Sequence, residues 1–213
     1  MARETASGKY YYRNTTPITA APYTISAWAY TTSSNTNQDV FVINRAGDGN
    51  NSLGLTLKGG LPGTPLDFFS AGSGDAQHAY TTNAFTTNAW NHCCGVVASS
   101  TSRFSYLNGY TANRGSSSAS STPQLLDRVS IGLWFGNSAA GFLIGGICEC
   151  ALWNVALNES EVVSLSKGIS ANKIRPQSLV FYFPGIREVI DLKDSSAITS
   201  VGTPGVIAHP RIY

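Results

Sequence analysis

The chain has 213 residues with 42% hydrophobic content, which is enough to bury the core of one β-sandwich or of two small domains. Its 14 basic and 12 acidic residues give a net charge of +2. No cluster of Lys and Arg is present to neutralise phosphates, which excludes the nucleic-acid-binding classes. No apolar run is long enough to cross a bilayer as a helix, so no membrane partner is predicted.

Residues 1–9 contain no apolar segment like that of a secretory signal peptide, so synthesis in the cytoplasm is expected. Thiols stay reduced in that compartment. The four cysteines are therefore expected to be free and buried, with a cross-strand disulfide as the alternative, and their spacing does not suit zinc. They are Cys93, Cys94, Cys148 and Cys150. Because strand side chains alternate, Cys148 and Cys150 are expected on one face.

The N-terminal half reads as short strands separated by turns. Tyr10, Tyr11 and Tyr12 begin the first strand, and alternation requires at least one of the three rings to point outward. Further strands are predicted at 23–30, 39–44, 53–57, 66–69, 90–98, 103–107 and 129–132. Many short strands with little helix predict an antiparallel β-sandwich. Its core is expected to include Trp28, Trp90, Leu152 and Trp153.

One helix is predicted, at 159–167. Asn158 and Glu161 have the spacing of a capping box, and Leu157 and Val162 occupy hydrophobic-staple positions. Gly168 supplies a stop that tolerates positive φ. The β-rich run before it, 142–153, is too long to be a turn and is predicted to be a strand.

Several of these segments resemble motifs of the laminin-G-like, concanavalin A-type lectin superfamily. The matching segments are Gly145-Gly146-Ile147-Cys148-Glu149-Cys150, Trp153-Asn154-Val155-Ala156-Leu157 and Glu159-Ser160-Glu161-Val162, with 22–28, 90–96 and 104–109 in the same order and spacing. The resemblance implies an all-β, two-sheet antiparallel jelly roll forming one domain over 1–213. Its core would span about 20–184, with an N-terminal arm (1–19) and a C-terminal tail (185–213) packed on the domain or on neighbouring subunits.

Residues 175–180 and 209–213 resemble a subgroup of these domains encoded by tailed bacteriophages and prophages, in which the domain is the whole protein. This resemblance implies a virion structural protein, most simply a capsid decoration or cement subunit located in the virion. The expected partners are further copies of the chain, in a homotrimer, and the major capsid protein or other virion proteins. The alternative is a glycan-binding adhesion module, for example in a tail fibre.

Catalytic motifs are absent from the sequence. Some relatives of this fold are glucanases that use paired carboxylates, but their Glu-x-Asp-x-x-Glu pattern is missing and Glu149 has no second carboxylate beside it. No nucleophile elbow, zinc-binding His pair or phosphate loop occurs. The chain is therefore predicted not to be an enzyme, with Glu149 as a half-exposed strand residue and His92 as a packed or hydrogen-bonded one.

No cofactor is predicted. Many laminin-G-like domains bind calcium, but the Asp that the family carries in the Ile-Asp-Glu strand is replaced by Cys148, and a thiol is a poor calcium ligand. Asp48 and Asn50 are weak candidates, because turns are rich in Asp and Asn for backbone reasons alone. Calcium is therefore not favoured.

Aromatic residues supply the candidate binding sites. Trp134 and Phe135 stand at the start of a turn, where their rings can stack on a sugar or meet a neighbouring subunit, and Tyr11 is a third candidate for either role. Contacts between subunits are expected at Tyr10, Tyr12, Ile212 and Tyr213. The C-terminal segment is more apolar than a solvated tail usually is, which supports this expectation.

Overall fold

A computed structural model describes residues 1–72 and 76–213, and it consists of two large antiparallel sheets with one helix. The strands are β1 (Ala2–Thr5), β2 (Tyr10–Arg13), β3 (Tyr23–Thr31), β4 (Asn37–Asn44), β5 (Ser52–Lys58), β6 (Pro65–Ala71), β7 (Ala76–Ala84), β8 (Ala89–Ser99), β9 (Ser102–Leu107), β10 (Gly115–Ser117), β11 (Arg128–Ile131), β12 (Trp134–Phe135), β13 (Ala139–Ala140), β14 (Gly145–Trp153), β15 (Leu179–Phe183), β16 (Thr199–Val201) and β17 (Val206–Ile207). The helix α1 spans Glu159–Ser166. The predicted all-β sandwich is confirmed.

The two sheets are interleaved along the chain. The first sheet has the order β10-β9-β8-β3-β14-β1-β17, with β15 also paired to β14. The second sheet has the order β16-β2-β11-β4-β5-β6-β7. The pair β12–β13 forms a separate small hairpin. No helix in the described ranges is long and apolar enough to cross a membrane.

Alternating side chains of both sheets form the core. Ile25, Ala27 and Ala29 enter it from β3, and Leu53, Leu55 and Leu57 enter it from β5. This period of two is what a strand with one core-facing side requires. It follows that the other side chains of β3, including Trp28 and Tyr30, lie on the outer face of the first sheet.

The helix packs on part of that outer face. Asn158 accepts a hydrogen bond from the Glu161 amide while the Glu161 carboxylate accepts one from the Asn158 amide, so the predicted capping box is present. Val162 and Leu165 form a second apolar cluster with Trp153. The cluster covers the end of the sheet where α1 lies and leaves the ends of β3 and β8 near Tyr30 and Trp90 outside it.

A β-bulge interrupts β14 and overturns one expectation. The register shifts between Cys148 and Ala151, and Glu149 has a φ of 53°. The extra residue reverses the alternation, so Ile147 and Cys150 both enter the main core and Cys148 does not. The prediction that Cys148 and Cys150 share a face is therefore wrong. All four cysteines are free and buried, as predicted.

Glu149 itself is buried rather than half-exposed, with 5% of its surface accessible. Its carboxylate accepts hydrogen bonds from the Tyr182 hydroxyl at 2.8 and 2.9 Å and from the Ser170 hydroxyl at 3.2 Å. Burial raises the pKa of Glu149, and these hydrogen bonds oppose the increase. The sequence expectation fails here because the bulge turns the side chain into the layer beneath the helix.

The terminal segments pack on the domain itself. β1 lies between β14 and β17, and β16 pairs with β2. The last residue is also held, since the Tyr213 amide donates to the Gly168 carbonyl at 2.6 Å and the Tyr213 carbonyl accepts from the Ser170 amide at 3.0 Å. The arm and the tail are therefore parts of the sandwich.

Candidate ligand-binding groove

A groove on the outer face of the first sheet contains two half-buried aromatic residues, one from β3 and one from β8. Tyr30 pairs with Trp90 across these strands, and Trp28 pairs with His92. The Tyr30 and Trp90 rings meet edge to face, with centroids 5.7 Å apart. Trp28 and Trp90 are both half-buried. The expectation that they belong to the core is therefore wrong, whereas Leu152 and Trp153 are fully buried.

The groove has a volume of about 380 Å³. Its floor is formed by Tyr30 and Trp90, and its other lining residues are Thr32, Gly145, Glu4, Ile207 and Ala208. Glu4 belongs to β1 and Ile207 to β17, so the two terminal strands form one wall. We call this feature the Tyr30–Trp90 groove.

Close packing of β17 on β14 fixes this wall. The side chain of Ile207 lies directly over Gly146, where an added Cβ would meet the Ile207 Cδ1 at 2.1 Å. A larger residue at this position would force the Ile207 side chain to move. The Gly-Gly pair that resembled a family motif thus has a local reason in this chain: it makes room for the wall of the groove.

Glu4 provides the charge of the groove. Lys9 Nζ lies 3.0 Å from both carboxylate oxygens, and the Gly205 amide donates to the same carboxylate at 2.8 Å. The Lys9 hydrogen bond is the main reason that the pKa of Glu4 is lowered. The carboxylate is consequently ionised at neutral pH and serves as a fixed hydrogen-bond acceptor at the edge of the groove.

His92 packs against Trp28, next to the Tyr30–Trp90 pair that forms the floor of the groove. It is 1% exposed, its Nε2 lies 2.9 Å from the Ser26 hydroxyl, and its ring is 5.3 Å from that of Trp28. Burial lowers the pKa of His92 to about 3, so the ring is neutral. The packed and hydrogen-bonded role predicted for His92 is what the structure shows.

The aromatic residues that the sequence singled out lie elsewhere. Tyr11 is 1% exposed and packs against Phe183, with ring centroids 5.5 Å apart, so it is neither a glycan platform nor an interface residue. The alternation argument for the three tyrosines is confirmed, because Tyr10 and Tyr12 are the outward pair. The sequence did not specify which ring points inward.

Trp134 and Phe135 are half-buried in the β12–β13 hairpin beside the second sheet. Phe135 contacts Tyr10 and Tyr12 edge to face, at 5.7 and 5.4 Å, and the Arg128 guanidinium lies 4.3 Å from the centre of its ring. The rings of Phe135, Tyr10 and Tyr12 therefore contact one another within the subunit. None of them lines the Tyr30–Trp90 groove.

Asp48 and Asn50 are joined by local hydrogen bonds. The Asp48 carboxylate accepts from the Asn50 amide at 2.7 Å and from the Asn51 side chain at 2.8 Å, and Arg45 lies 3.5 Å away. These contacts occupy the oxygens that a metal would use and place a cation beside them. Within residues 1–72 and 76–213, no group of three or more His, Cys, Asp and Glu side chains is arranged to hold a metal ion.

A polar row crosses the outer face of the second sheet. Asp39, Thr56, Asp67 and Tyr80 pair in register across β4, β5, β6 and β7. Thr56 donates to Asp39 at 2.5 Å, and His78 Nδ1 lies 2.7 Å from Asp67. Burial raises the pKa of both aspartates, that of Asp39 to about 7. Because Asp67 is fully buried and Thr56 nearly so, this row offers a ligand less accessible surface than the groove does.

Comparisons with known proteins identify the fold. The family model for the Concanavalin A-like lectin/glucanases superfamily matches residues 5–163, well over half of the chain. Domain 4 of the extracellular arabinanase AbnA from Geobacillus stearothermophilus, solved with arabinotriose, has a TM-score of 0.57 at 21% identity, covering 70% of this chain and 68% of that one. A comparison with curated proteins gave no match.

Two other similar structures come from a bacterium and from a bacteriophage. The CBM40 domain of a Ruminococcus gnavus sialidase, solved with α2,3-sialyllactose, has a TM-score of 0.61 at 14% identity, covering 78% of this chain and 94% of that one. The enzymatically active domain of tailspike protein 2 from bacteriophage CBA120 has a TM-score of 0.57 at 16% identity, covering 79% of this chain and 27% of that one. At such identities the likeness concerns the fold alone. Given the family match and the two-sheet architecture, the chain belongs to the concanavalin A-like lectin/glucanase superfamily.

Proposed function

We propose that this chain is a non-catalytic, lectin-like module that binds a saccharide in the Tyr30–Trp90 groove. The observation that carries the proposal is the pair of half-buried aromatic rings on the floor of a 380 Å³ concavity. Sugar rings have apolar C–H faces that pack on aromatic rings, and their hydroxyls hydrogen-bond to fixed polar groups. Glu4 and Thr32 provide such groups at the edge of the groove.

The composition of the groove favours binding over cleavage. Hydrolysis of a glycosidic bond ordinarily uses two carboxyl groups that flank the bond, one of them protonated. Among the residues that line the groove, Glu4 is the single carboxylate, and Lys9 keeps it ionised. A lone ionised carboxylate accepts hydrogen bonds from sugar hydroxyls but cannot act as a general acid.

A glycan array with the full chain tests this proposal, with arabinotriose and sialyllactose among the probes because two similar folds were solved with them. Trp90→Ala and Tyr30→Ala are expected to lose the signal, and Trp90→Phe to keep part of it. Tyr110→Ala is the matched control, since Tyr110 is a 58% exposed tyrosine outside the groove. The proposal is wrong if the wild-type chain binds no saccharide, or if both groove variants bind as well as the control while their circular dichroism shows that they are folded.

A role in a virion, as a homotrimeric capsid decoration subunit, is a second candidate. One observation favours an attachment surface near the C-terminus: Ile186, Leu192, Val206 and Tyr213 are large apolar side chains that are 37–57% exposed. Exposed apolar patches are a common feature of protein interfaces. The phage-like segments of the sequence support the same proposal.

Particle binding tests this second candidate. Leu192→Ser combined with Tyr213→Ser is expected to reduce self-association in analytical ultracentrifugation. The same double variant is expected to co-sediment less with particles of the phage that encodes the chain. Leu125→Ser is the matched control, because Leu125 is 70% exposed in a different part of the chain. Equal association of the double variant and the control would remove the support for an attachment surface here.

A further inference from the structure

The Tyr30–Trp90 groove follows one row of paired residues across the first sheet. Glu4 on β1 pairs with Gly146 on β14. Gly146 also pairs with Tyr30 on β3, and Tyr30 pairs with Trp90 on β8. Directly opposed residues of antiparallel strands point to the same face, so all four positions belong to the outer face of the sheet. The row therefore has a carboxylate at one end and two aromatic rings at the other.

This row sets the distance between the carboxylate and the rings. Neighbouring strands are about 4.8 Å apart, so the Glu4 backbone is roughly 10 Å from that of Tyr30 and roughly 14 Å from that of Trp90. Gly146 has no side chain, and the apolar side chain of Ile207 lies over it. A ligand that contacts both ends of the groove is therefore elongated, with an apolar face toward the rings and a polar group toward Glu4.

The charge in the groove is negative. Among the residues that line it, Glu4 is the one with an acidic or basic side chain. Its Oε2 accepts hydrogen bonds from Lys9 and from the Gly205 amide, whereas within residues 1–72 and 76–213 its Oε1 accepts from Lys9 alone. A carboxylate has about four acceptor positions, so Oε1 keeps one for a ligand.

Lys9 leaves this carboxylate accessible. It does not line the groove, so it approaches Glu4 from outside. The two side chains are 34% and 33% exposed, and water weakens an ion pair with this exposure. A second ammonium group can therefore reach Oε1 from the groove while Lys9 stays in place.

We propose that the groove prefers saccharides with protonated amino groups, such as oligosaccharides of 2-amino-2-deoxyhexoses, and that Glu4 accepts a hydrogen bond from the ammonium group. This charge-assisted bond is stronger than one from a neutral hydroxyl. Tyr30 and Trp90 favour the same class, because the faces of aromatic rings attract cations. Acidic sugars are repelled by Glu4 and bind least. This preference rests on the saccharide binding proposed above for the groove.

Isothermal titration calorimetry of the full chain tests the preference with β-1,4-linked trimers of glucosamine, glucose and glucuronic acid. These trimers share one backbone and differ in a single substituent on each ring. The titrations are run at about pH 6, where amino groups are protonated and Glu4, whose pKa is lowered, is ionised. The wild-type chain is expected to bind the glucosamine trimer about tenfold more tightly than the glucose trimer, and the glucuronic acid trimer least tightly.

Two variants change the charge beside the groove in opposite directions. Glu4→Gln removes the negative charge but keeps an acceptor for the Gly205 amide, so the preference for the amino sugar should be lost while the glucose trimer still binds. Lys9→Met removes the competing cation, so the preference should increase. Trp90→Ala should weaken the binding of every trimer. Glu188→Gln is the matched control, because Glu188 is an exposed carboxylate outside the groove, and it should keep the wild-type affinities.

The preference is wrong if the wild-type chain binds the glucosamine trimer no more tightly than the glucose trimer. It is also wrong if folded Glu4→Gln keeps the wild-type ratio of the two affinities. Saccharide binding that Trp90→Ala abolishes would, in both cases, leave the function proposed for the groove intact. A wild-type chain that binds neither the trimers nor any saccharide of the array would overturn both proposals together.

Discussion

Among residues 1–72 and 76–213, burial raises the pKa of four carboxyl groups: those of Asp39, Asp67, Glu149 and Asp191. Each has a local partner, and for Asp191 it is Arg13, at 2.6 Å. A raised pKa means that the folded chain holds protons that the unfolded chain has released. All four groups therefore act in one direction, and their contribution to stability should decrease as the pH rises above the ordinary range of carboxyl groups, whereas the lowered pKa of buried His92 acts in the opposite direction below about pH 6.5.

Asp39→Asn isolates one of these contributions. The pKa of Asp39 is raised from 3.8 to about 7, so its effect on stability is favourable below about pH 4 and is lost between pH 4 and 7. Asparagine keeps the acceptor for Thr56 without a charge. The variant should therefore be more stable than the wild type at pH 8, by up to about 4 kcal/mol, and similar to it at pH 4.

Melting temperatures at both pH values check this expectation. Glu188→Gln is the control, because Glu188 is an exposed carboxyl group. A difference between Asp39→Asn and the wild type that is the same at pH 4 and pH 8 would contradict the role assigned to burial.

The tryptophans should differ in their effect on stability. Trp153 is fully buried, and its Nε1 donates to the Ile174 carbonyl at 2.7 Å, so Trp153→Ala should cost about 3–5 kcal/mol. Trp90 is half-buried at the groove, and Trp90→Ala should cost less than half as much. Urea denaturation of both variants measures the difference. Equal losses in the free energy of unfolding would show that Trp90 contributes to stability as a core residue does.

At the scale of elements, the regular features of the chain were predictable from local patterns. The period of two located most strands, and the spacing of Asn158 and Glu161 located α1 to within a residue of its observed end. The bulge at Glu149 was not predictable, because one extra residue in a strand leaves no signal in composition, and the residue at positive φ is not a glycine. The error about Cys148 and Cys150 follows from that single residue.

The groove was missed for a related reason. Trp28 and Trp90 alternate correctly with core residues, but alternation does not indicate which face of the sheet is covered. The helix covers only part of the outer face of the first sheet, and how far it reaches depends on packing between distant segments. The sequence signal that was available is the pairing of two aromatic strands, 23–30 and 90–98, whose outward positions both carry rings.

The cap of α1 can be tested directly. Asn158→Ala removes the acceptor for the Glu161 amide and should destabilise the chain by about 1 kcal/mol. Ser160→Ala, in the exposed first turn, is the matched control and should change stability little. Urea midpoints for both variants give the comparison, and indistinguishable midpoints would show that the capping box contributes nothing to global stability.

At the scale of the whole molecule, the terminal segments complete the first sheet and form a wall of the groove. The sequence indicated that these ends are held, but it did not distinguish the chain's own sheet from a neighbouring subunit. Pairing of Ala2 with Ile207 involves residues from the two ends of the chain, and no local pattern encodes such a contact. Self-association and capsid binding stay predictions.

Removal of residues 204–213 tests the wall. The truncated chain loses Ile207 and Ala208 from the groove and the contacts of Tyr213 with the loop after α1, while most of the core remains. Saccharide binding should fall at least as far as in Tyr30→Ala, with a smaller decrease in Tm than Trp153→Ala produces. The full-length Leu192→Ser variant is the control, and unchanged binding after truncation would show that the terminal strands only cover the sheet edge.

The pairing of β1 with β17 also has a consequence for the order of folding. Contacts between residues that are far apart in sequence form late, because a long loop must close before they stabilise the chain. During synthesis, β1 leaves the ribosome before the other strands and remains without its β17 neighbour until Ile207 has been made. The groove is therefore expected to be the last surface of the domain to mature, and a nascent chain halted before residue 207 should have a sandwich core but no saccharide affinity.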